Sequence, residues 1–219
     1  MNLAKRIFIT ATNTDIGKTY ATKLLMQVFS TMGYRVGVCK PIETGVETAP
    51  LDGTALLELL HQLNPLTHHL NINDIVPIQY TLPAAPYIAS NAEEIDLSLV
   101  DTALSKQEAL CDILLIEGAG GLYVPVDKQT MMIDLIDRFE AKALLISHCR
   151  LGCINDTLLS HYALNDKEIS HIWTLNCHAD DHSFSKISEP FFHDNFPDYT
   201  LLERDIFQVA NSLLALFEK

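Results

Sequence analysis

Continuous apolar runs of strand length occupy residues 7–9, 36–38, 113–116, 143–146 and 172–175. They do not alternate with polar positions, the pattern expected of parallel strands covered on both faces. Between them the apolar positions change to a helical period. Ala21, Leu24, Leu25, Val28 and Met32 follow i, i+3, i+4, i+7, i+11 spacing, and Gly33 stands where that helix would stop. Ile206, Val209, Ala210, Leu213, Leu214 and Phe217 repeat the spacing near the other end, and weaker helical stretches cover 54–63, 96–110, 131–139 and 154–163. Strand and helix alternate throughout, which predicts an α/β fold with a three-layer, mostly parallel sheet and helices on both faces. Residues 77–92, with Pro77, Pro83 and Pro86, and the polar residues 178–195 read as loops.

No Gly/Ser-rich linker, internal repeat or low-complexity tract divides the 219 residues, and the 48% apolar content suits one core, so residues 1–219 are expected to form a single domain. Fifteen Lys plus Arg against 28 Asp plus Glu leave a net charge of −13, a field that repels nucleic acid and anionic lipid surfaces. An anionic ligand would have to be held by local groups against that field. No apolar run approaches the roughly 20 residues of a membrane helix, and the run at 7–9 is too short for a signal peptide, so a cytoplasmic location with no membrane partner is expected. The five cysteines form no C-x-x-C pair and are expected to be reduced, mostly buried thiols. Cys149 and Cys153, four apart, are the pair that oxidation could join. Cys177, His178, Asp180, Asp181 and His182 lack zinc-type spacing and read as a solvated loop.

In a parallel sheet the loops at the carboxyl ends of the strands form the ligand crevice. The first such loop runs Ala11-Thr12-Asn13-Thr14-Asp15-Ile16-Gly17-Lys18-Thr19 into the helical stretch. It keeps the Gly-Lys-Thr of G-x-x-x-x-G-K-[ST], with Thr12 in place of the first glycine. Gly17 lets the backbone approach a phosphate, the helix start offers N–H groups, Lys18 offsets phosphate charge and the Thr19 hydroxyl can ligate Mg²⁺. The second strand ends in Lys40-Pro41-Ile42-Glu43-Thr44-Gly45, so Lys40 is a second cation at the crevice or a solvated strand-end lysine. The third ends in Glu117-Gly118-Ala119-Gly120-Gly121, a carboxylate that can hold a metal or mark a tight turn.

Taken together these segments resemble the dethiobiotin synthetases. Their G-T-D-T-x-x-G-K-T is matched by residues 11–19 with two changes, Ala11 for Gly and Asn13 for Asp. Their K-P-x-x-[ST]-G is matched at 40–45, and E-G-A-G-G stands intact at 117–121. Leu151-Gly152-Cys153-Ile154-Asn155 matches L-G-x-x-N, and Asn176 stands where the family carries a base-reading Asn. The resemblance implies a P-loop NTPase-like fold and an ATP- and Mg²⁺-dependent enzyme. It would convert 7,8-diaminopelargonic acid and CO₂ to dethiobiotin through a carbamate and a carbamic-phosphoric anhydride. Lys18, Lys40 and Thr14 are then the catalytic groups. ATP would lie on Asn13, Thr14, Asp15, Ile16, Gly17, Lys18, Thr19 and Tyr20, on Glu117, Gly118 and Gly120, and on Asn176. The substrate would meet Lys40, Thr44, Pro83 and Gly121, with Gly152, Cys153, Ile154 and Asn155 receiving its carboxylate near a homodimer interface. Thr19, Asp52 and Glu117 are the implied Mg²⁺ ligands. The strand and Gly-x-[IL]-Pro turn that usually follow the base-reading Asn are missing from the sequence, which points to weakened or remodelled adenine recognition. The rival reading is a nucleotide-switch P-loop ATPase of the partitioning or metal-insertion type. Those proteins carry a second lysine within the phosphate loop, whereas this loop has Lys18 alone. A GTPase would show N-K-x-D where Asn176 is followed by Cys177-His178-Ala179. A degenerate P-loop that binds nucleotide without turnover is the non-catalytic alternative.

Overall fold

Each apolar run becomes a strand of one five-stranded sheet of order β2-β5-β1-β6-β7, every neighbouring pair parallel. The computed structural model describes residues 4–177 and 183–218. In chain order the first half comprises β1 (Lys5–Ala11), α1 (Lys18–Thr31), β2 (Val36–Cys39), β3 (Ile42–Thr44), α2 (Leu51–Leu63), α3 (Ile72–Ile75), β4 (Ile78–Tyr80), α4 (Pro86–Ala89) and α5 (Ser98–Glu108). The second half comprises β5 (Ile113–Gly121), α6 (Asp134–Arg138), β6 (Lys142–His148), α7 (Cys153–Asp166), β7 (His171–Asn176), α8 (Phe184–Ile187), α9 (Glu189–Asn195) and α10 (Ile206–Ala215).

The strand pleat explains the unbroken apolar runs. Ile7 and Ile9 enter a core with Leu25 and Phe29 of α1, Leu56 of α2 and Val209 of α10. Phe8, between them, points the other way, into a core with Val100 and Leu104 of α5, Ile136 of α6 and Leu164 of α7. Both faces are therefore covered, giving the expected three layers.

Several connections differ from the sequence expectation. Residues 77–92 are not a plain loop: β4 pairs in parallel with β3, Ile42 opposite Ile78 and Thr44 opposite Tyr80, and α4 follows. Periodicity could not show strands of three residues each. Residues 183–195 form α8 and α9, whose Phe184 and Phe192 pack on Leu175 and Cys153 in a third apolar cluster. The expected solvated loop at 178–182 lies outside the described residues. Beyond α9 the chain returns along β7: Leu201 bridges Leu175 in parallel, and Leu175 N donates to Thr200 O at 3.0 Å. The sheet edge is thus extended by a single bridge, too short to leave an apolar run.

The expectation of five reduced thiols is corrected. Cys149 and Cys177 form a disulfide with Cα atoms 5.1 Å apart, while Cys39, Cys111 and Cys153 remain buried thiols. Register is the cause. His148 pairs with Asn176 across β6 and β7, so the next residue of each strand meets the other, although 28 positions separate them in sequence. Among the described residues no helix is long and apolar enough to cross a membrane.

Candidate nucleotide site

The carboxyl ends of β1, β2 and β5 lie side by side, and each delivers one charged group. From β1 the chain turns through residues 12–17 into α1. Gly17, at φ 94°, caps that helix, and the Asn176 amide lies over it so closely that no Cβ fits. Asn176 Nδ2 donates to Ile16 O at 2.9 Å, binding the end of β7 to the phosphate loop. Lys18 opens α1, is 8% exposed, and reaches back to donate to Asn13 O at 3.3 Å. Burial lowers its ammonium pKa to about 8, against the opposing pull of Glu117.

Register brings the other two groups together. Cys39 of β2 pairs with Ile116 of β5, so Lys40 and Glu117 follow as neighbours. The Lys40 backbone N–H donates to Ile75 O at 2.8 Å, and its Nζ donates to Glu117 Oε1 at 2.8 Å and to Asp52 Oδ2 at 2.5 Å. Burial would lower the pKa of Lys40, but the two carboxylates outweigh it and hold the ammonium above its ordinary range. Burial would raise Asp52, yet Lys40 holds that carboxyl below the usual range. Glu117 is wholly buried, and Thr19 Oγ1 donates to its Oε1 at 2.7 Å. Its other oxygen, Oε2, lies 2.7 Å from Thr22 Oγ1.

Asp52 arrives by a longer route. The Glu43 carboxylate on β3 accepts from the backbone N–H of Asp52 at 3.1 Å and of Gly53 at 2.9 Å, so a strand residue caps the start of α2 and sets Asp52 beside Lys40. The helix consequently starts at Leu51 rather than at residue 54.

These groups surround a cavity of about 510 Å³, lined by Thr14, Asp15, Gly17, Lys18, Thr19 and Tyr20 from the loop, with Lys40, Thr44, Asp52, Glu117 and Gly120. Lys18 and Glu117 face the same cavity. Asn13 and Ile16 supply the carbonyls that hold Lys18 and Asn176. Gly118 packs on the Phe8 ring and Gly121 against the Thr12 backbone, both behind the lining. Pro83 rests on Gly45 at the rim. Gly152, Cys153, Ile154 and Asn155 open α7 after β6, the strand on the other side of β1, with Gly152 at φ 100° as the cap and Asn155 exposed. Sequence reasoning missed Thr22 and Glu43. Thr22 was within reach, since it lies one helical turn beyond Thr19 and shares its face; Glu43 was not, because its partner is nine positions away in another element. A larger groove of about 870 Å³, lined by Glu93, Asp96, Asp127, Lys128 and Arg138 among others, shares no residue with this site.

A wholly parallel sheet, a Gly-Lys-Thr loop between β1 and α1, and a lysine and a buried carboxylate at adjoining strand ends define a P-loop nucleotide-binding protein. A family model described as an AAA domain matches residues 5–191. The chain is 42% identical to the ATP-dependent dethiobiotin synthetase BioD of Sulfurovum sp. (strain NBC37-1), over 94% of this chain and 99% of that one. It is 35% identical to the BioD of Wolinella succinogenes, over 96% and 99%. It therefore belongs to the ATP-dependent dethiobiotin synthetase family. Two solved structures share the fold: a plasmid partition protein from Borrelia burgdorferi (TM-score 0.56, 11% identity, 99% of this chain and 97% of that one) and the MinD cell division protein of Aquifex aeolicus (0.51, 17%, 95% and 86%).

Proposed function

We propose that this chain closes the cyclic urea of dethiobiotin from 7,8-diaminopelargonic acid, CO₂ and ATP. The observation that carries this reading is Lys40, a second buried ammonium on the same cavity as Lys18. A nucleotide switch of the partitioning type carries its second lysine within the phosphate loop, whereas here the second ammonium follows β2, across the cavity from Lys18, where it can reach a second anion that receives the transferred group.

In the proposed route one amine of the diamine adds to CO₂, loses a proton and becomes a carbamate. A carbamate oxygen attacks the γ-phosphorus, and the bond to ADP breaks. The second amine then attacks the carbamoyl carbon, closing the ring as the C–O bond to phosphate breaks and the amine proton departs. No side chain forms a covalent bond. Lys18 accompanies the phosphate charge through transfer, Lys40 bridges carbamate and γ-phosphate oxygens, and the Thr14 and Thr44 hydroxyls donate at the cavity wall. Catalysis is then positioning and charge stabilisation.

Thr19, Asp52 and Glu117 offer only oxygen donors, and a cation, the Lys40 ammonium, already sits between the two carboxylates. That donor set fits Mg²⁺, a hard ion that takes one or two carboxylates and completes its shell with phosphate and water. When bound, Mg²⁺ would neutralise charge on the β- and γ-oxygens. Adenine is proposed to lie toward Asn176, along an edge where Tyr20 hydrogen-bonds Glu203 beyond the Leu201 bridge. Gly152–Asn155 at the start of α7 are proposed to receive the substrate carboxylate near the twofold interface of a cytoplasmic homodimer.

Incubating the protein with the diamine, bicarbonate, Mg²⁺ and ATP, and following products by mass spectrometry, is expected to give dethiobiotin and ADP in equal amounts. ADP formation that is independent of the diamine, with no cyclic urea, would return the chain to the switch reading.

A further inference from the structure

We infer that Thr22 is a positioning residue that sets which divalent cation the site accepts, by leaving Glu117 a single oxygen with which to bind it. The inference rests on the Mg²⁺ site proposed above and concerns a residue outside that ligand set.

Thr22 and Glu117 are both fully buried. Thr22 lies on α1 one turn after Thr19, and the two hydroxyls divide the Glu117 carboxylate between them. Thr19 Oγ1 and Lys40 Nζ approach Oε1, at 2.7 and 2.8 Å, from the cavity side. Thr22 Oγ1 approaches Oε2 alone, at 2.7 Å, from within the core. The Thr22 hydroxyl also lies 2.9 Å from the Lys18 carbonyl oxygen, the usual back-bond of a helical threonine. Its one proton can serve only one of the two acceptors. An ionised carboxylate is the stronger, and the Lys18 carbonyl already has the N–H that α1 supplies four residues on. The hydroxyl therefore holds Oε2, and a cation entering from the cavity meets Oε1.

Denticity separates the common divalent ions. Mg²⁺ demands near-octahedral geometry at about 2.0–2.1 Å, which two oxygens of one carboxylate cannot supply without distortion. Ca²⁺ takes roughly six to eight oxygens at about 2.3–2.6 Å and readily accepts a carboxylate through both. With Oε2 tied to α1, the site discriminates against the larger ion. Remove the tie, and the carboxylate can rotate to present both oxygens.

The experiment measures binding rather than turnover. A fluorescent ATP analogue is displaced from the full-length protein by a non-hydrolysable ATP analogue saturated with either Mg²⁺ or Ca²⁺, and the ratio of the two affinities is taken for each variant. Thr22→Val and Thr22→Ala are expected to shift the ratio toward Ca²⁺ at least tenfold, and Thr22→Ser, which keeps the hydroxyl, to restore the parental ratio. Two loss variants are used so that failure of one to fold, seen by circular dichroism, leaves the other. A ratio within twofold of the parent in a folded loss variant overturns the inference and returns Thr22 to a helix back-bond. Glu117→Gln separates this from failure of the underlying site. If that variant keeps the parental dependence on metal, the Mg²⁺ assignment itself is wrong; if it loses the dependence while Thr22→Val leaves the ratio unmoved, only the role of Thr22 is.

Discussion

Lys18 and Lys40 share a cavity but not an electrostatic condition. Lys18 is buried with a loop carbonyl as its polar partner, at 3.3 Å, whereas Lys40 is clamped between Asp52 and Glu117. Their removal should therefore have different consequences. Lys18→Ala is expected to lower kcat by about 10²–10³, the usual loss for a charge-stabilising donor, with little change in stability. Lys40→Ala is expected to lower turnover as far and also to destabilise the fold by about 3 kcal/mol, because it leaves the buried Glu117 without its counter-charge. Steady-state rates and urea unfolding of both variants check this; equal stabilities would mean that the Lys40 pairs carry no net energy. The contrast also shows what the sequence could disclose. That Gly17, Lys18, Thr19 and Glu117 would meet at one crevice was legible, because each stands in a recognisable motif just beyond the carboxyl end of a parallel strand. The Lys40–Asp52 pairing was not, since it depends on Glu43 capping α2 from another strand.

His161 of α7 and His171 of β7 form a chain with one consistent set of protons. Asn165 Nδ2 donates to His161 Nε2 at 3.2 Å, His161 Nδ1 to His171 Nε2 at 2.8 Å, and His171 Nδ1 to Ile169 O at 2.8 Å. Adding a proton to either ring nitrogen that now accepts would destroy a bond. Burial, joined at His161 by the neighbouring imidazole, holds both rings below the ordinary 6.5, the Ile169 carbonyl opposing it only in part at His171. Below pH 6.5 the unfolded chain then binds more protons than the folded one, so stability falls with pH until the folded values are reached; above 6.5 the contribution is complete. Urea unfolding at pH 7.5 and 5.5 is expected to show this loss, and a His161→Gln, His171→Asn double variant to show a smaller one. An unchanged difference would assign the slope to other groups. The same packing of α7 on the sheet marks the limit of sequence reading. Runs of three or four apolar residues located all five strands of the main sheet, because burial on both faces leaves no alternation to misread. The β3–β4 pair, the Cys149–Cys177 bond and the Leu201 bridge each come from register between distant segments, which periodicity along one segment does not encode.

The proposed substrate carboxylate site lies where α7 begins, and the surface beside it is apolar in a way the folded chain alone does not explain. Leu151, Leu159 and Tyr162 are 83%, 63% and 55% exposed. On α7 the exposed Asn155, Leu159 and Tyr162 follow i, i+4, i+7 spacing along one outer face, and Leu151 is exposed two residues before the helix begins. Single exposed apolar side chains are ordinary, but several close together beside the proposed carboxylate site are what the proposed dimer interface would require. Gly152 and Asn155 lie beside these residues, so a second copy seated there would also lie against the proposed carboxylate site, leaving the phosphate loop untouched. Charge placed on this face should accordingly separate two functions. The Leu159→Glu, Tyr162→Glu variant is expected to sediment as a monomer where the parent sediments as a dimer. It should bind ATP within a few-fold of the parent and lose at least tenfold in kcat/KM for the diamine. A parent that sediments as a monomer at assay concentration, or a monomeric variant with undiminished kcat/KM, would show that each chain completes its own substrate site.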